Sequence, residues 1–191
     1  MLFEYSTQRL LLKIIKPQQA DQVLDFYLRD KKLFEQFEPE RMENFYTSNF
    51  QKKVLSFEGN MTAQGSLFRF YVYEKHNPDR IIGTICIHHI NRGFFSSCEI
   101  GYKFSSACHH MGYATESMQR IIAIVFGELK LHRITAWVLP DNVPSIRLLG
   151  RLGFQFEGIC RDYLLLQGKW RDHAQYSLLS DDYSSANGHI Q

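Results

Sequence analysis

Three runs rich in branched and aromatic residues sit almost end to end in the middle of the chain: LFRFYVYE (67–74), RIIGTICIHHI (80–90) and SCEIGYKF (97–104). The connectors between them, HNPD and NRGFF, hold the Pro, Asn, Asp and Gly that turns favour, so the runs predict an antiparallel meander. Any fold for this chain has to be built around that sheet. After Gly112 the period changes: Met118, Ile121, Ile122, Val125 and Leu129 recur at helical spacing and predict an amphipathic helix with one apolar stripe.

On the N-terminal side, RLLLKII (9–15) predicts a first strand, followed by a helix from about Pro17 to Leu28 and a less regular helical stretch from about Glu40 to Glu58. On the C-terminal side, HRITAWV (132–138) predicts a strand. In DNVPSIRLLGRLGF, Asn142 can cap a helix, Pro144 suits its first turn, and Gly153 can close it with Phe154 packing behind. Two further strands are expected near Phe156 to Leu166 and His173 to Leu179, joined through QGKW. This order of elements is that of an α/β, or α+β mixed, sheet with helices packed on it. The 191 residues suit one domain, residues 1–180, and DDYSSANGHIQ from Asp181 onward predicts a polar, frayed tail at 181–191.

With 22 basic and 20 acidic side chains, the chain lacks the broad basic field by which nucleic-acid binders hold phosphate backbones, so nucleic acid is not an expected partner. The start, MLFEYSTQRLLLKIIK, lacks the pattern of a secretion signal, and no apolar run approaches the roughly 20 residues that span a bilayer. A cytoplasmic location without membrane attachment is expected. Cys86, Cys98, Cys108 and Cys160 form no CxxC pair and read as buried free thiols.

HHMGYATE (109–116) carries the first chemical signal. A helix N-terminus has unpaired main-chain N–H groups and about half a positive charge, and so cradles phosphate. Gly112 stands where the loop enters the helix and lets the backbone approach an anion, while Ala114 keeps the next turn uncrowded. Metal binding by His109 and His110 competes with this reading, but adjacent loop histidines rarely aim at one ion and no HExxH or CxxC spacing completes a ligand set. His88 and His89 form a second pair. In an extended strand neighbours face opposite sides, so at most one of these two is expected at a given site. No metal is expected.

Taken with CEIGYKF before it and NVPSIRLLGRLGF after it, this stretch resembles the acetyl-CoA-binding core of the GNAT N-acetyltransferase superfamily, whose loop pattern is Q/R-x-x-G-x-G/A. TQRLLLKII, EIGY, and N-x-x-S…LGF followed by EG…G-x-W-x-D resemble the branch of ribosomal-protein N-terminal alanine/serine acetyltransferases, over about residues 5 to 180. The resemblance implies a mostly antiparallel twisted sheet of about seven strands with about four helices and a splayed strand pair at an acetyl-CoA cleft. It also implies that main-chain N–H groups of His109, His110, Met111, Gly112, Tyr113, Ala114 and Thr115 hold the coenzyme's pyrophosphate. The backbone of Tyr102, Lys103 and Phe104 would pair with its pantetheine arm. Asn142 and Ser145 match N-x-x-S, which implies a cofactor contact by Asn142 and a hydrogen bond from Ser145 to the departing thiolate; on the residues alone, Asn142 can simply cap the helix. Two positions depart from the pattern: His109 replaces Gln or Arg, and His110 stands where the branch commonly has glycine.

Acetyl transfer to an amine needs a proton acceptor, a polarised thioester and a stabilised leaving group. Glu99 is the base candidate, with Glu157, Asp162 or a water as alternatives. The Glu that some branch members use falls here at about Leu164. Tyr102 and Tyr163 are possible proton donors, and Trp170 and Asp172 are expected to fix local structure. The expected acceptor is a protein N-terminal α-amino group, of a ribosomal or other protein; a polyamine, aminoglycoside or amino acid acceptor, or a non-catalytic acyl-CoA-binding module, are the alternatives. Monomer and homodimer are both open.

Overall fold

The computed structural model describes residues 1–187. Eight strands form one sheet in the order β1-β2-β3-β4-β5-β6-β8-β7. The expected meander is its centre: β3 (Phe68–Glu74), β4 (Asn77–Asn91) and β5 (Ser97–Phe104) pair antiparallel in succession. β2 (Leu10–Lys13) lies against β3, and β1 (Glu4–Ser6), a strand the sequence reading did not contain, adds an outer edge and makes the total eight rather than about seven. On the other side come β6 (Arg133–Val138), β8 (Lys169–Leu179) and β7 (Gln155–Leu166).

The alternation in β3 shows why both faces are covered. Phe68, Phe70 and Val72 enter one buried cluster, whose other members include Met118, Ile121, Ile122 and Val125 of the helix α4 (Tyr113–Gly127). Tyr71 and Tyr73 enter a second, with Val23, Phe26 and Tyr27 of α1 (Ala20–Arg29), Phe34 of α2 (Lys31–Glu35) and Leu55 of α3 (Ser48–Ala63). The stripe on α4 is fully inside, and each such aliphatic side chain stabilises the fold by about 1.5–3 kcal/mol. α5 (Val143–Arg151) completes the α4 side, and its end is as expected: Gly153 is left-handed at φ 86°, and the Phe154 N–H returns to the Leu149 carbonyl at 3.0 Å.

Three expectations need correction. The stretch 40–58 is not one helix: a 3-10 turn at Glu43–Tyr46 is separated from α3 by Thr47, whose hydroxyl accepts from the Phe50 N–H at 3.2 Å as a cap. The tail is not frayed from 181: α6 (Ser180–Asn187) is helical, with the Tyr183 ring 5.3 Å from Phe126 of α4; residues 188–191 of that expectation lie outside the described residues. β8 begins at Lys169, before the expected His173, because Gln167 and Gly168 alone make the turn, both at positive φ.

One pairing positions the site. β5 and β6 are parallel, and their ladder joins only Ser97–Glu99 to Arg133–Thr135. Beyond Glu99 the two strands part, while β5 stays paired to β4 as far as Phe104 and β6 to β8 as far as Val138. The sheet therefore opens a wedge between 100–104 and 136–138.

Candidate active site

The loop from β5 to α4 forms the mouth of the wedge. Ser106–Cys108 make a 3-10 turn, His110 is left-handed at φ 64°, and Gly112 is left-handed at φ 77° as the N-cap of α4. The His109 N–H is already engaged by the Ser106 carbonyl at 3.1 Å, so the main-chain donors available to an anion begin after it. A Cβ at Gly112 would meet Arg9 Nη2 at 3.4 Å. His110 holds a backbone conformation that favours glycine, the residue this position commonly has in the resembled branch. The rings of His109 and His110 stand 6.4 Å apart and join no metal-competent cluster among the described residues.

A clamp invisible to local sequence reading holds this loop. Glu116, in the first turn of α4, accepts from Thr7 Oγ1 at 2.6 Å, the Arg9 N–H at 2.8 Å and Arg9 Nε at 2.7 Å. Arg9 also donates to the Met111 carbonyl at 3.0 Å and lies over the Tyr113 ring at 4.6 Å. The Tyr113 hydroxyl reaches Glu74 at 2.7 Å. Burial by itself would raise the Glu116 carboxyl, but the bonds from Thr7 and Arg9 outweigh it and hold the group below the usual carboxylate range. At the neighbouring turn, Thr115 Oγ1 accepts from Arg151 of α5 at 3.4 Å.

The α5 side of the wedge brings two expected residues together. Asn142 Oδ1 accepts from the Ser145 N–H at 3.2 Å, so Asn142 does cap the helix. Ser145 Oγ and the Tyr102 hydroxyl share a hydrogen bond of 2.6 Å across the wedge from α5 to β5. Burial pushes the Tyr102 phenol up to about 12 against the opposing effect of Ser145, so it is a neutral hydroxyl at physiological pH. Phe104 lies over Gly83 on β4, where any side chain would collide with its ring at 2.4 Å.

Glu99 lies on the opposite face. Alternation along β5 puts Tyr102 and Phe104 against the α4 cluster and turns Glu99 and Lys103 toward α1 and α2. Glu99 is opposite His88 in the β4–β5 ladder, and Glu99 Oε2 is 3.1 Å from His89 Nδ1. Here the expectation that only one of His88 and His89 could face a site fails. His89 is left-handed at φ 48°, the register shifts between His88 and Asn91, and this bulge turns both imidazoles to Glu99, with ring centroids 4.7 Å apart. Burial pushes the His88 imidazole down, and His89 adds to it. Tyr163 is close by, its phenol raised by burial and by the Glu99 charge, and it stacks on Trp137 of β6 at 4.3 Å.

Of the alternative bases, the Glu157 carboxylate is occupied elsewhere and Asp162 sits at a bulge. Arg133, Ser177 and Gln175 all donate to Glu157, and the Arg133 bond chiefly holds its carboxyl low. Asp162 lies at a bulge of β7 with φ 48°, where its N–H donates to Asp172 Oδ1 at 2.9 Å. Asp172 thus fixes local structure as expected, whereas Trp170 is exposed. Leu164 pairs with Arg171.

Below Glu99, Lys103 points over the rings of Tyr27 and Phe34 and pairs with Glu38, which also binds Arg41 at 2.7 Å. Lys103, Tyr27 and Arg41 line a cleft of 460 Å³ together with Phe45, Glu58, Arg69 and Tyr71; Glu58 Oε1 accepts from Arg69 Nε at 2.6 Å, and its Oε2 is buried without a hydrogen-bond partner. Asp30, between α1 and α2, ties this side to the other: it accepts from Ser105 Oγ at 2.6 Å and from Ser106 Oγ at 2.6 Å, just before the loop that enters α4. The sequence reading missed Arg9, Glu116 and Asp30, whose partners are far away along the chain, and the pair Glu58 and Arg69, which join α3 to β3.

The sequence matches the family described as Acetyltransferase (GNAT) domain over residues 9–155. Ribosomal protein uS5-alanine N-acetyltransferase of Escherichia coli (strain K12) is 32% identical over 180 residues, 94% of this chain and 92% of that one. The probable N-acetyltransferase YjcK of Bacillus subtilis (strain 168) is 33% identical over 163 residues, 85% of this chain and 90% of that one. The crystal structure of the ribosomal-protein-S5-alanine acetyltransferase of Vibrio fischeri superposes with a TM-score of 0.88 at 28% identity, covering 94% of this chain and 98% of that one. RimJ of Mycobacterium smegmatis in complex with CoA-disulfide does so with a TM-score of 0.83 at 25% identity, covering 94% of this chain and 90% of that one.

Proposed function

The chain belongs to the GNAT acetyltransferase family and is an acetyl-CoA-dependent N-acetyltransferase, and on that premise we propose that its acceptor is the α-amino group of a protein N-terminus, with a ribosomal protein as the first candidate. The observation that carries this reading is the 32% identity to the uS5-alanine enzyme, which runs through 94% of this chain and so includes the α1–α3 side as well as the cofactor loop.

Acetyl-CoA supplies an acyl group already activated as a thioester. The residues present fit it: Gly112 provides the left-handed entry to a helix whose first N–H groups point outward, and β5 beyond Glu99 offers an unpaired edge to an extended arm. His110 to Thr115 hold the pyrophosphate through the main chain. The backbone of Tyr102 to Phe104 holds the arm, and Asn142 frames α5 beside it.

Glu99 takes the proton of the acceptor ammonium, directly or through one water, so that the amine can attack the thioester carbon. Ser145, with Tyr102 behind it at 2.6 Å, donates a hydrogen bond to the departing thiolate, which takes up the proton that the attacking nitrogen sheds; the amide and the free thiol leave. The cleft between α3 and β3 receives the first residues of the acceptor, with Glu58 and Arg69 as its polar contacts.

A thiol-release assay tests the acceptor class. Peptides beginning with Ala or Ser should turn over, and the same peptides with a blocked α-amine should not. Turnover confined to polyamines, aminoglycosides or free amino acids refutes the protein-acceptor reading. Separately, Ser145→Ala should lower kcat by about 10-fold or more with the acetyl-CoA affinity retained.

A further inference from the structure

His88, His89 and Glu99 are more than the surroundings of a base. Each offers one ligand atom, and the three atoms lie within 4.8 Å of one another. One edge of the triangle, His89 Nδ1 to Glu99 Oε2, is 3.1 Å. Two ligands about 2.1 Å from a tetrahedral ion stand roughly 3.4 Å apart, so this edge already has the bite of a metal site, and the other edges, at no more than 4.8 Å, must close on the ion as it binds. The backbone does the unusual part of the work. A regular β4 would turn His89 to the far face; the left-handed bulge at φ 48° turns it back beside its neighbour.

We propose that His88, His89 and Glu99 form a site for a divalent transition metal of the zinc class, which when filled withdraws Glu99 from catalysis. Two imidazoles and a carboxylate are the donor set that favours Zn²⁺ over Mg²⁺ or Ca²⁺, and the exposed side of His89 leaves a fourth position to water. The ion is therefore an inhibitor that enters from solvent and is absent from the reaction itself. Metal binding stands on geometry alone; the inhibition rests on the reading of Glu99 as the base.

The test separates the two. Chelator-treated protein is titrated with ZnSO₄ against a chromophoric competitor, and with Co²⁺ for its visible absorption. The expected result is one equivalent bound with a micromolar or lower Kd, weakened more than about 10-fold by His88→Ala and by His89→Ala, and unchanged in His109→Ala/His110→Ala. Zinc affinity that is indifferent to His88 and His89, or weaker than about 100 μM, overturns the site. In parallel, turnover should fall with the same zinc dependence while acetyl-CoA binding by calorimetry stays constant. One histidine-dependent equivalent with undiminished turnover keeps the metal site and overturns both the inhibition and the assignment of Glu99 as the base.

Discussion

The two faces of the wedge are built by different means. On the proposed cofactor side the groups on offer are main-chain ones, the helix start after Gly112 and the open edge of β5, and side chains such as Arg9 and Glu116 hold that backbone in place. On the proposed acceptor side nearly everything depends on side chains, with Glu99, His88 and His89 gathered around one point and Tyr163 within reach of the Glu99 charge. A backbone site tolerates substitution as long as the path of the chain survives, which is why histidines can occupy 109 and 110. A side-chain site changes its chemistry with each replacement.

That contrast is sharpest in the response to Glu99→Gln, where the largest effect is expected. Acetyl-CoA affinity by calorimetry should hold within a factor of about two, while kcat at saturating acceptor drops about 100-fold. A parallel loss of cofactor affinity breaks the separation of the faces. Arg9→Ala probes the other side and should do the reverse. The Kd for acetyl-CoA should rise about 10-fold, equivalent to 1.4 kcal/mol, with kcat retained once the cofactor saturates.

Glu116→Gln asks whether the clamp is electrostatic. Because the Glu116 carboxyl lies below its ordinary value in the fold, the charged form contributes stability above the unfolded-state pKa, and that contribution is lost as pH falls through the folded-state value. The wild type should therefore be about 1 kcal/mol more stable than Glu116→Gln at pH 7, and the two urea midpoints should converge on acidification. A gap that persists in acid means the clamp acts through packing. The smallest effect belongs to His110→Gly: relief of the left-handed backbone and the greater freedom of the unfolded chain are each about 1 kcal/mol and oppose, so the thermal midpoint should barely move. A marked loss of cofactor binding in this variant would give the His110 side chain a role that the backbone picture lacks.

The same contrast explains what could be read from the sequence. Gly112, Asn142, Gly153 and the meander are local signals, in which the residue type and its immediate neighbours determine the conformation, and each stands where it was expected. The acceptor side was legible only in part. Alternation along a strand correctly gives Glu99 one face, yet the same rule misplaces His89, because a bulge is a property of two paired strands and not of one. Arg9 and Glu116 are separated by 107 positions, and Asp30 lies 75 before Ser105, so nothing local ties them. The tail reads as polar and loose until Tyr183 finds Phe126.

The short ladder between β5 and β6 has a further meaning in the language of aggregation. A sheet normally exposes unpaired backbone only at its two rims, where another chain can dock on it. This sheet carries a second pair of rims in its interior, along 100–104 and 136–138, splayed so that neither strand can reach the other. The β6 rim, at 136–138, is shorter than an ordinary strand, while the β5 rim at 100–104 is long enough for a slender, amide-bearing molecule to lie along it. On the proposed reading, the edge that would invite another chain at a rim is turned inward and given to the cosubstrate.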